Sequence, residues 1–479
     1  MSDAVKASPT DLSAHQSRTD KPAFDAGRDN VRILGLDVHN PVFFVSAALI
    51  VAFVAATLAA PEQAAQQFGA LRKFLTSTFD WVFLMAANVF VVFALALIVS
   101  PYGSIRLGGA DAKPEFSFHG WLAMVCAAGM GIGLMFFGVL EPVAHFQKPP
   151  LGIAADDIET ARQVAMAATI FHWGLHPWAI FGVVALALAF FAYNRGLPLT
   201  LRSIFYPLFG ERVWGGLGHV IDTLAVFATL FGLATSLGFG SEQALAGLNY
   251  LFGIPDTNLG RVVLIAGITA LALVSVVAGL DAGVRRLSEI NMALAIALLA
   301  FVLFSGPTFD LLSIAGESAI AYVQYLPALS SPVDRNPAFV HEWTTFYWAW
   351  WISWSPFVGM FIARVSRGRT VRQLLVCVLI VPTIGSIVWM STFGGNAILQ
   401  LTQDGYQGVA QAVTAWTPEL ALFKMLEPMP FATVLSLLGI VLVLVFFITS
   451  SDSGSLVVDT ITAGGKLHPP ENTLRNGWM

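Results

Sequence analysis

The sequence has little charge and almost no cysteine. Aspartate, glutamate, lysine and arginine together make up 11% of the 479 residues, whereas hydrophobic residues make up 56%. A soluble domain contains roughly 25% charged residues, so a water-soluble fold of this composition would expose large apolar patches. The net charge of −5, without a basic block, gives no indication of nucleic-acid binding. Cys126 and Cys377 lie in apolar runs, which excludes a disulfide framework or a cysteine zinc site.

Long apolar runs are what the sequence does contain. A helix needs roughly 20 apolar residues to cross a bilayer. Segments of this length predict an all-α polytopic membrane protein with about ten transmembrane helices, at 41–60, 80–100, 119–140, 165–193, 217–245, 260–280, 285–305, 343–363, 372–394 and 431–451. Two amphipathic stretches, near 308–328 and 408–426, predict helices that lie along a membrane face.

Polar segments flank the apolar region. We divide the chain into an N-terminal tail (1–40), predicted to be mostly disordered, a transmembrane domain (41–460) and a short C-terminal tail (461–479). With ten spans and the N-terminus inside, 18 of the 25 lysines and arginines fall inside and 7 outside. The positive-inside rule therefore predicts a multi-pass protein of the plasma (inner) membrane with both termini in the cytoplasm.

Three glycines interrupt the third span near its centre. Gly129, Gly131 and Gly133 fall within five residues, and each costs about 1 kcal/mol relative to alanine in a helix. We interpret this segment as locally unwound, so that its freed carbonyls face a cation and its bare backbone lets a substrate approach. The alternative is close helix packing through Gly129 and Gly133, which leaves Gly131 without a role.

The tryptophans fall into two groups according to their expected depth in the membrane. One group fits the interfacial belt of a membrane protein, because its members lie near span ends or in loops: Trp81, Trp121, Trp343, Trp389 and Trp416. Another group lies in the eighth span, where Trp354 is almost central and Trp348 is about 9 Å away along the axis. Because these rings point to more than one face, we expect some to face a cavity. A purely structural cluster is the alternative.

More rings lie at mid-depth in the fourth span. Trp173, Trp178 and Phe181 are there, and Pro177 is expected to bend the helix. Buried rings with no carboxylate partner suit a permanent cation that has no N–H to donate, such as trimethylammonium. Each desolvated ring contributes roughly 0.5–2 kcal/mol to binding such a cation.

Polar side chains are few in the apolar core. We expect His172 and His176 in the fourth span to be neutral hydrogen-bonding residues rather than proton carriers. Thr449 and Ser450 end the tenth span, where adjacent hydroxyls suit a hard cation that prefers oxygen ligands. The alternative there is a hydroxyl-rich helix end, and Thr229 in the fifth span is a weaker candidate. No span combines a nucleophile, a base and an orienting acid, so we expect no enzyme.

At these residues the sequence resembles the betaine/choline/carnitine transporter family. The resemblance rests on Gly129–Gly133 with Glu141-Pro142, Phe171–Trp178, Tyr347–Pro356 continuing into Arg364–Thr370, and Thr449–Ser453. It implies a leucine-transporter-type core of two inverted five-helix repeats, preceded by two extra helices, and usually a homotrimer. It also implies secondary active import of a quaternary ammonium osmolyte, coupled to sodium and without a further cofactor.

The resemblance also implies roles for individual residues. The aromatic box would comprise Trp173, Trp178, Phe181 and Trp351, with Trp348 and Trp354 along the pathway and Met130, Gly131 and Gly133 at the solute. One sodium site would use backbone near Ala127 and Met130, the Phe446 carbonyl, and the hydroxyls of Thr449 and Ser450. A second would use Thr229 with Phe357.

Two features depart from the family pattern and leave alternatives open. Phe181 stands where sodium-coupled betaine carriers commonly have tyrosine, so betaine, choline, carnitine, ectoine and a sulfonium analogue are not separated. The chain ends at Met479 before two further expected spans, which implies a truncated second repeat. One alternative is a proton-coupled choline or carnitine-type carrier, although that type is expected to carry aspartate in the glycine stretch, where Gly133 stands. The other is a truncated, transport-inactive or sensory membrane protein.

Overall fold

The computed structural model describes residues 26–33, 36–129, 131–154, 156–278, 285–333 and 336–466. A two-stranded antiparallel hairpin comes first, formed by β1 (Asn30–Ile33) and β2 (Leu36–His39). The first eight helices are α1 (Val42–Ala59), α2 (Pro61–Thr78), α3 (Asp80–Val99), α4 (Phe118–Gly129), α5 (Ile132–Gln147), α6 (Ile158–Trp173), α7 (Leu175–Ala189) and α8 (Gly216–Phe252). The next eight are α9 (Asn258–Ala278), α10 (Arg285–Ser305), α11 (Thr308–Leu329), α12 (Thr345–Val365), α13 (Val371–Thr402), α14 (Gly408–Thr414), α15 (Ala421–Leu426) and α16 (Ala432–Thr462).

The long helices confirm an all-α polytopic membrane protein. Within the described ranges, seven helices are long and apolar enough to cross a membrane: α1, α3, the α6–α7 pair with the turn that follows it, α8, α10, α13 and α16. Helix α5 and most of α9 are shorter apolar helices. Each of the ten predicted spans coincides with one of these helices, with the α4–α5 pair or with α12. The number of helices that cross the bilayer stays a prediction.

The third span is interrupted as its glycines predict. Helix α4 ends at Gly129 and α5 begins at Ile132. Between them Gly131 is extended, with φ −163° and ψ −139°. Met130 lies outside the described residues. The helix therefore ends before Met130 and begins again after Gly131, which confirms the predicted interruption.

The fourth span is also broken, within one helical turn before Pro177. Helix α6 ends at Trp173 and α7 begins at Leu175, so the break is at Gly174. A Cβ on Gly174 would lie 2.6 Å from the Ile170 carbonyl oxygen, which explains why only glycine fits there. Pro177 is the third residue of α7, where a backbone N–H has no partner within the helix in any case. Pro177 cannot donate to the Trp173 carbonyl oxygen four residues before it, so the predicted bend is confirmed, with the break itself at Gly174.

Several elements differ from the sequence-based expectations. Residues 1–25 of the predicted disordered tail lie outside the described residues, but the prediction is wrong for the hairpin β1–β2. Helix α2 was not predicted. The amphipathic stretch near 308–328 is helix α11, whereas 408–426 contains two short helices, α14 and α15. Their position along a membrane face stays a prediction.

Two of the tryptophans assigned to the interfacial belt are buried instead. Trp81 and Trp416 are 55% and 65% exposed, as the belt requires. Trp121 and Trp389 are 0% and 6% exposed, and both indole N–H groups donate to acceptors inside the protein. Trp121 lies near the start of α4, but Trp389 lies near the middle of α13, because that helix continues beyond the predicted span to Thr402, and both rings face protein.

The core lies where α5, α6, α7, α12 and α13 pack together. Helix α12 packs along α7, α13 along α5, and α8 along α16. Trp348, Tyr347, Phe171 and Phe181 are among the largest fully buried side chains. The aromatic residues of the fourth and eighth spans thus meet at the centre of the helix bundle.

The hairpin is fastened to the end of α16. The Asn30 side-chain amide donates to the Ala463 carbonyl oxygen at 2.9 Å, and Lys466 forms an ion pair with Asp37. The segment before α8 also contacts this end, because the Leu199 N–H donates to the Gly465 carbonyl oxygen at 3.0 Å. The first and last described segments of the chain are therefore held side by side.

A buried ion pair lies beneath the hairpin. Arg202 Nε donates to Asp222 Oδ2 at 2.5 Å, and the Arg202 backbone N–H donates to Oδ1 at 3.0 Å. Arg202 Nη2 also donates to His39 Nε2 at 3.2 Å. Burial, together with the Arg202 guanidinium, lowers the pKa of His39 to about 4, so its imidazole is neutral and accepts this hydrogen bond.

We predict that Arg202→Ala destabilises the protein. The substitution leaves the fully buried Asp222 without its cation, and breaking a buried pair in this way costs about 3–5 kcal/mol. The thermal unfolding midpoint in detergent, followed by tryptophan fluorescence, should fall clearly. Arg212→Ala, at an exposed position in the same segment, should leave the midpoint unchanged. Equal midpoints for both variants would contradict a structural role for the pair.

Candidate functional site

Four predicted rings meet between α6, α7 and α12. The centroids of Trp173 and Trp351 are 5.0 Å apart, those of Phe181 and Trp351 are 6.0 Å apart, and those of Trp178 and Phe181 are 5.7 Å apart. All three pairs are close to perpendicular, the edge-to-face geometry that aromatic rings favour. No ring is more than 4% exposed. We call these four residues the aromatic box.

The aromatic box encloses a small cavity. Its volume is about 10 Å³, which is room for about one water molecule. The lining residues are Gly129, Leu134, Trp173, Pro177, Trp178, Phe181, Trp351 and Ser386. Sequence reasoning missed Leu134 and Ser386, because nothing in their local pattern separates them from ordinary span residues, and it noted Pro177 only as a helix-bending residue. This volume is too small for a small organic cation, so the box must widen before one can bind.

The glycines of the interrupted span make room for the tryptophans. A Cβ on Gly129 would lie 2.4 Å from Trp178 Cη2, and a Cβ on Gly133 would lie 2.6 Å from Trp173 Cη2. Both distances are too short for a real Cβ. By contrast, a Cβ on Gly131 would meet only ordinary contacts, the nearest at 3.6 Å. The glycine string therefore has two functions, since its middle residue lies in the break and its outer residues receive ring edges.

A buried carboxylate lies directly behind the box. Glu141 is 0% exposed. Its Oε2 accepts from Trp173 Nε1 at 2.7 Å and from the Tyr347 hydroxyl at 2.5 Å, while Oε1 lies 2.6 Å from His172 Nδ1 and 3.2 Å from His145 Nε2. The expectation that the buried rings have no carboxylate partner is wrong. Sequence analysis noted Glu141 only within the Glu141-Pro142 motif that resembles the family, and it did not predict the hydrogen bonds of this carboxylate.

We call Glu141, His145 and His172 the Glu141 cluster, and this cluster also contacts residues around it. His172 Nε2 lies 3.0 Å from Thr344 Oγ1, so both nitrogens of this imidazole have partners. Glu141, His145 and His172 offer ligand atoms within 4.8 Å of one another, a spacing that could hold a metal ion. Here the same atoms are hydrogen-bonded to one another and to their neighbours, which accounts for the arrangement without a metal.

The two tryptophans expected along the pathway, Trp348 and Trp354, lie outside the box. Trp348 is fully buried and stacks on His176, with centroids 5.4 Å apart. Trp354 packs on Phe357 at 5.3 Å. Neither residue lines the small cavity. Trp343, assigned to the interface by sequence, contacts the Glu141 cluster through His145 at 4.7 Å.

The candidate ion-binding residues line a second, larger cavity. Its volume is about 370 Å³, within the range of about 300–1,000 Å³ typical of small-molecule sites. Phe446, Thr449, Ser450 and Phe357 are all among its lining residues. The Thr449 hydroxyl donates to the Val445 and Phe446 carbonyl oxygens at 3.1 and 3.2 Å. Leu134 lines both cavities and separates the larger one from the box.

Other predicted ion ligands are only partly described. For Ala127 the structure describes the backbone, which lies in α4, and Met130 is not described. Thr229 is fully buried, and its hydroxyl has no hydrogen-bond partner among the described residues. It lies on α8, which packs against α12, the helix that carries Phe357. Asn291 was missed by sequence reasoning, although it lines the larger cavity and is 5% exposed.

Comparison with known proteins decides the family. The profile of the BCCT family, described as betaine/carnitine/choline family transporters, matches residues 41–478. The chain belongs to this family. It is therefore a transporter rather than an enzyme, as the sequence predicted.

Three relatives illustrate how similar this BCCT transporter is to named proteins. It is 56% identical over 467 residues to a glycine betaine/proline/choline transporter of Vibrio parahaemolyticus, covering 93% of this chain and 84% of the relative. It is 55% identical over 457 residues to glycine betaine transporter 1 of the same organism, covering 94% and 86%. It is 42% identical over 447 residues to the high-affinity choline transport protein of Escherichia coli, covering 92% and 65%.

We predict that Gly133→Ala disturbs the box of this BCCT transporter. The new Cβ would overlap Trp173, and such overpacking costs about 1–3 kcal/mol. The thermal unfolding midpoint in detergent should fall, and the tryptophan emission spectrum should change. Gly267→Ala is the matched control, because this helical glycine has nothing within 4 Å of an added Cβ. If Gly133→Ala behaved like Gly267→Ala, the proposed contact with Trp173 would be refuted.

Proposed function

We propose that this BCCT transporter imports a quaternary ammonium osmolyte, glycine betaine or a close analogue, by secondary active transport across the plasma membrane. The observation that carries the proposal is the aromatic box of Trp173, Trp178, Phe181 and Trp351. A trimethylammonium group has no N–H to donate, so ring faces suit it better than a direct carboxylate contact. Each desolvated ring contributes roughly 0.5–2 kcal/mol.

The relatives support the same solute class. Their names include glycine betaine, proline and choline, and two of these solutes carry a trimethylammonium group. Phe181 supplies a ring without a hydroxyl, so at this position the box offers only an apolar and π contact. This property favours recognition through the cationic head that betaine and choline share.

We predict that Trp351→Leu weakens solute uptake. Trp351 contacts both Trp173 and Phe181, so its loss opens one wall of the box. Losing one desolvated cation–π contact costs about 1–2 kcal/mol, or roughly a tenfold loss in apparent affinity for radiolabelled betaine in proteoliposomes. Trp81→Leu, at an exposed tryptophan of α3, should change the affinity little. Equal losses for both variants would remove the case for the box.

We propose sodium as the coupling ion. A hard cation stripped of water needs several oxygen ligands. The Phe446 carbonyl and the hydroxyls of Thr449 and Ser450 offer three at the larger cavity, and the unwound backbone near Ala127 and Met130 would offer more. The break supports this arrangement, because a Cβ on Gly131 would lie 3.6 Å from Phe446 and 4.0 Å from Ser450. A second ion would use Thr229, whose hydroxyl has no hydrogen-bond partner among the described residues, together with Phe357.

We predict that the double substitution Thr449→Ala with Ser450→Ala raises the sodium concentration needed for half-maximal uptake. Both hydroxyls line the larger cavity, and their loss removes two oxygen ligands. Ser455→Ala with Thr460→Ala is the matched control on the same helix, since neither residue lines that cavity. Sodium-independent uptake by the unaltered chain would contradict the proposed coupling.

A proton-coupled carrier is the second candidate. The observation that favours it is the buried cluster of Glu141, His145 and His172, because such groups form proton relays in some transporters. Uptake driven by a pH gradient in sodium-free buffer would support this candidate and overturn sodium coupling.

The finer architecture is also a proposal. We infer ten spans with cytoplasmic termini, an inverted-repeat core preceded by two helices, and a homotrimer. The unwound segment between α4 and α5 supports the repeat core, since interrupted helices mark the binding sites of such transporters. Accessibility of tags at the two termini and the mass of the detergent-solubilised protein would test these points.

A further inference from the structure

The indole ring of Trp173, one wall of the aromatic box, lies between Glu141 and the cavity of the box. Trp173 Nε1 donates to Glu141 Oε2 at 2.7 Å, and the opposite edge of the same indole lies over Gly133. The ring of Trp173 also lies 5.0 Å from that of Trp351. Trp173 is thus held at both ends, with the carboxylate on one side and the solute cavity on the other.

No fixed positive charge neutralises this carboxylate. In the part of the chain that the structure describes, the side chains in ion-pair range of Glu141 are His145 and His172, and neither a lysine nor an arginine contacts it. Both imidazoles can donate one N–H to the carboxylate while neutral. Trp173 and Tyr347 are neutral donors. An ionised Glu141 would therefore keep its negative charge in a site that solvent does not reach.

The field of such a charge reaches the box. Solvent and salt screen a buried charge weakly, so its interaction with a cation one ring away is much stronger than it would be in water. The N–H···O contact also places the negative charge beside the indole that lines the solute cavity. Choline carries a net positive charge, whereas in glycine betaine the repulsion of its own carboxylate offsets part of the attraction.

We infer that Glu141 sets the charge preference of the aromatic box. Its carboxylate acts through Trp173 and favours net-cationic trimethylammonium solutes over zwitterionic ones that have the same head group. The inference rests on the proposed function of the box. It makes Glu141 a positioning and specificity residue that does not itself touch the solute.

A purely structural role for Glu141 has a different signature. If the carboxylate only orients Trp173, its loss must weaken choline and betaine to the same degree, because both solutes present the same trimethylammonium group to the ring. If its charge contributes, choline must lose more. The ratio of the two KM values therefore separates the two roles, and a general loss of activity does not affect it.

The test uses the full chain in proteoliposomes, with radiolabelled choline and glycine betaine under the same sodium gradient. For Glu141→Gln, which removes the charge and keeps the size, the KM for choline should rise about tenfold more than the KM for betaine. Tyr347→Phe is the matched control. It removes one hydrogen bond to Glu141 but leaves the charge, so both KM values should change by the same factor.

A second variant provides the same test if Glu141→Gln does not fold. His145→Lys puts a fixed cation four residues from Glu141 on the same helix face and leaves its contacts with Trp173 and Tyr347 intact. It should shift the KM ratio in the same direction. An unchanged ratio in the variants that fold would overturn the inference and leave the proposed function standing. Failure of the unaltered chain to take up either solute would overturn both.

Discussion

A carboxylate buried among membrane helices is stable only when its lone pairs are hydrogen-bonded, and Glu141 imposes this requirement on the core. Its donors come from α5, α6 and α12, and they include Trp173, the ring that ends α6. Removing a single donor would leave part of a buried charge unpaired, which costs more than an ordinary hydrogen bond contributes. The three helices are therefore held in one register at the depth of the aromatic box, and the orientation of Trp173 follows from that register.

The break in the third span lies between the two glycines that contact Trp178 and Trp173 of the box. Trp178 rests on Gly129 at the end of α4, whereas Trp173 rests on Gly133 near the start of α5. The unwound segment lies between these two contacts, so a change in the angle between α4 and α5 moves one ring relative to the other. The cavity of about 10 Å³ is too small for a trimethylammonium group. Separation of the two contacts would widen this cavity, and the break is the point of the span at which α4 and α5 can move relative to each other.

Sequence reasoning predicted what depends on local pattern and missed what depends on distant partners. Glycine spacing predicted the break between α4 and α5, ring chemistry pointed to Trp173, Trp178 and Phe181, and the family resemblance added Trp351 to the box. Glu141 was not recognised because His172, Trp173 and Tyr347 lie 31, 32 and 206 residues away. Depth along a span also does not give the rotation of a helix. Trp348 lies at the depth of the box but packs on His176, and Trp121 lies near a span end but faces the protein interior.

The two proposed functions, solute binding and ion binding, lie in different cavities. The cavity of the box is about 10 Å³ and is lined by four aromatic rings, whereas the larger cavity is about 370 Å³ and carries the hydroxyls of Thr449 and Ser450. Leu134 on α5 borders both, two residues beyond the start of the helix at the break. An ion bound at the hydroxyls would also contact the unwound segment, and the same segment sets the distance between the ring contacts on α4 and α5. Ion binding and opening of the box would therefore act on one short stretch of backbone, so coupling between them needs no contact between ion and solute.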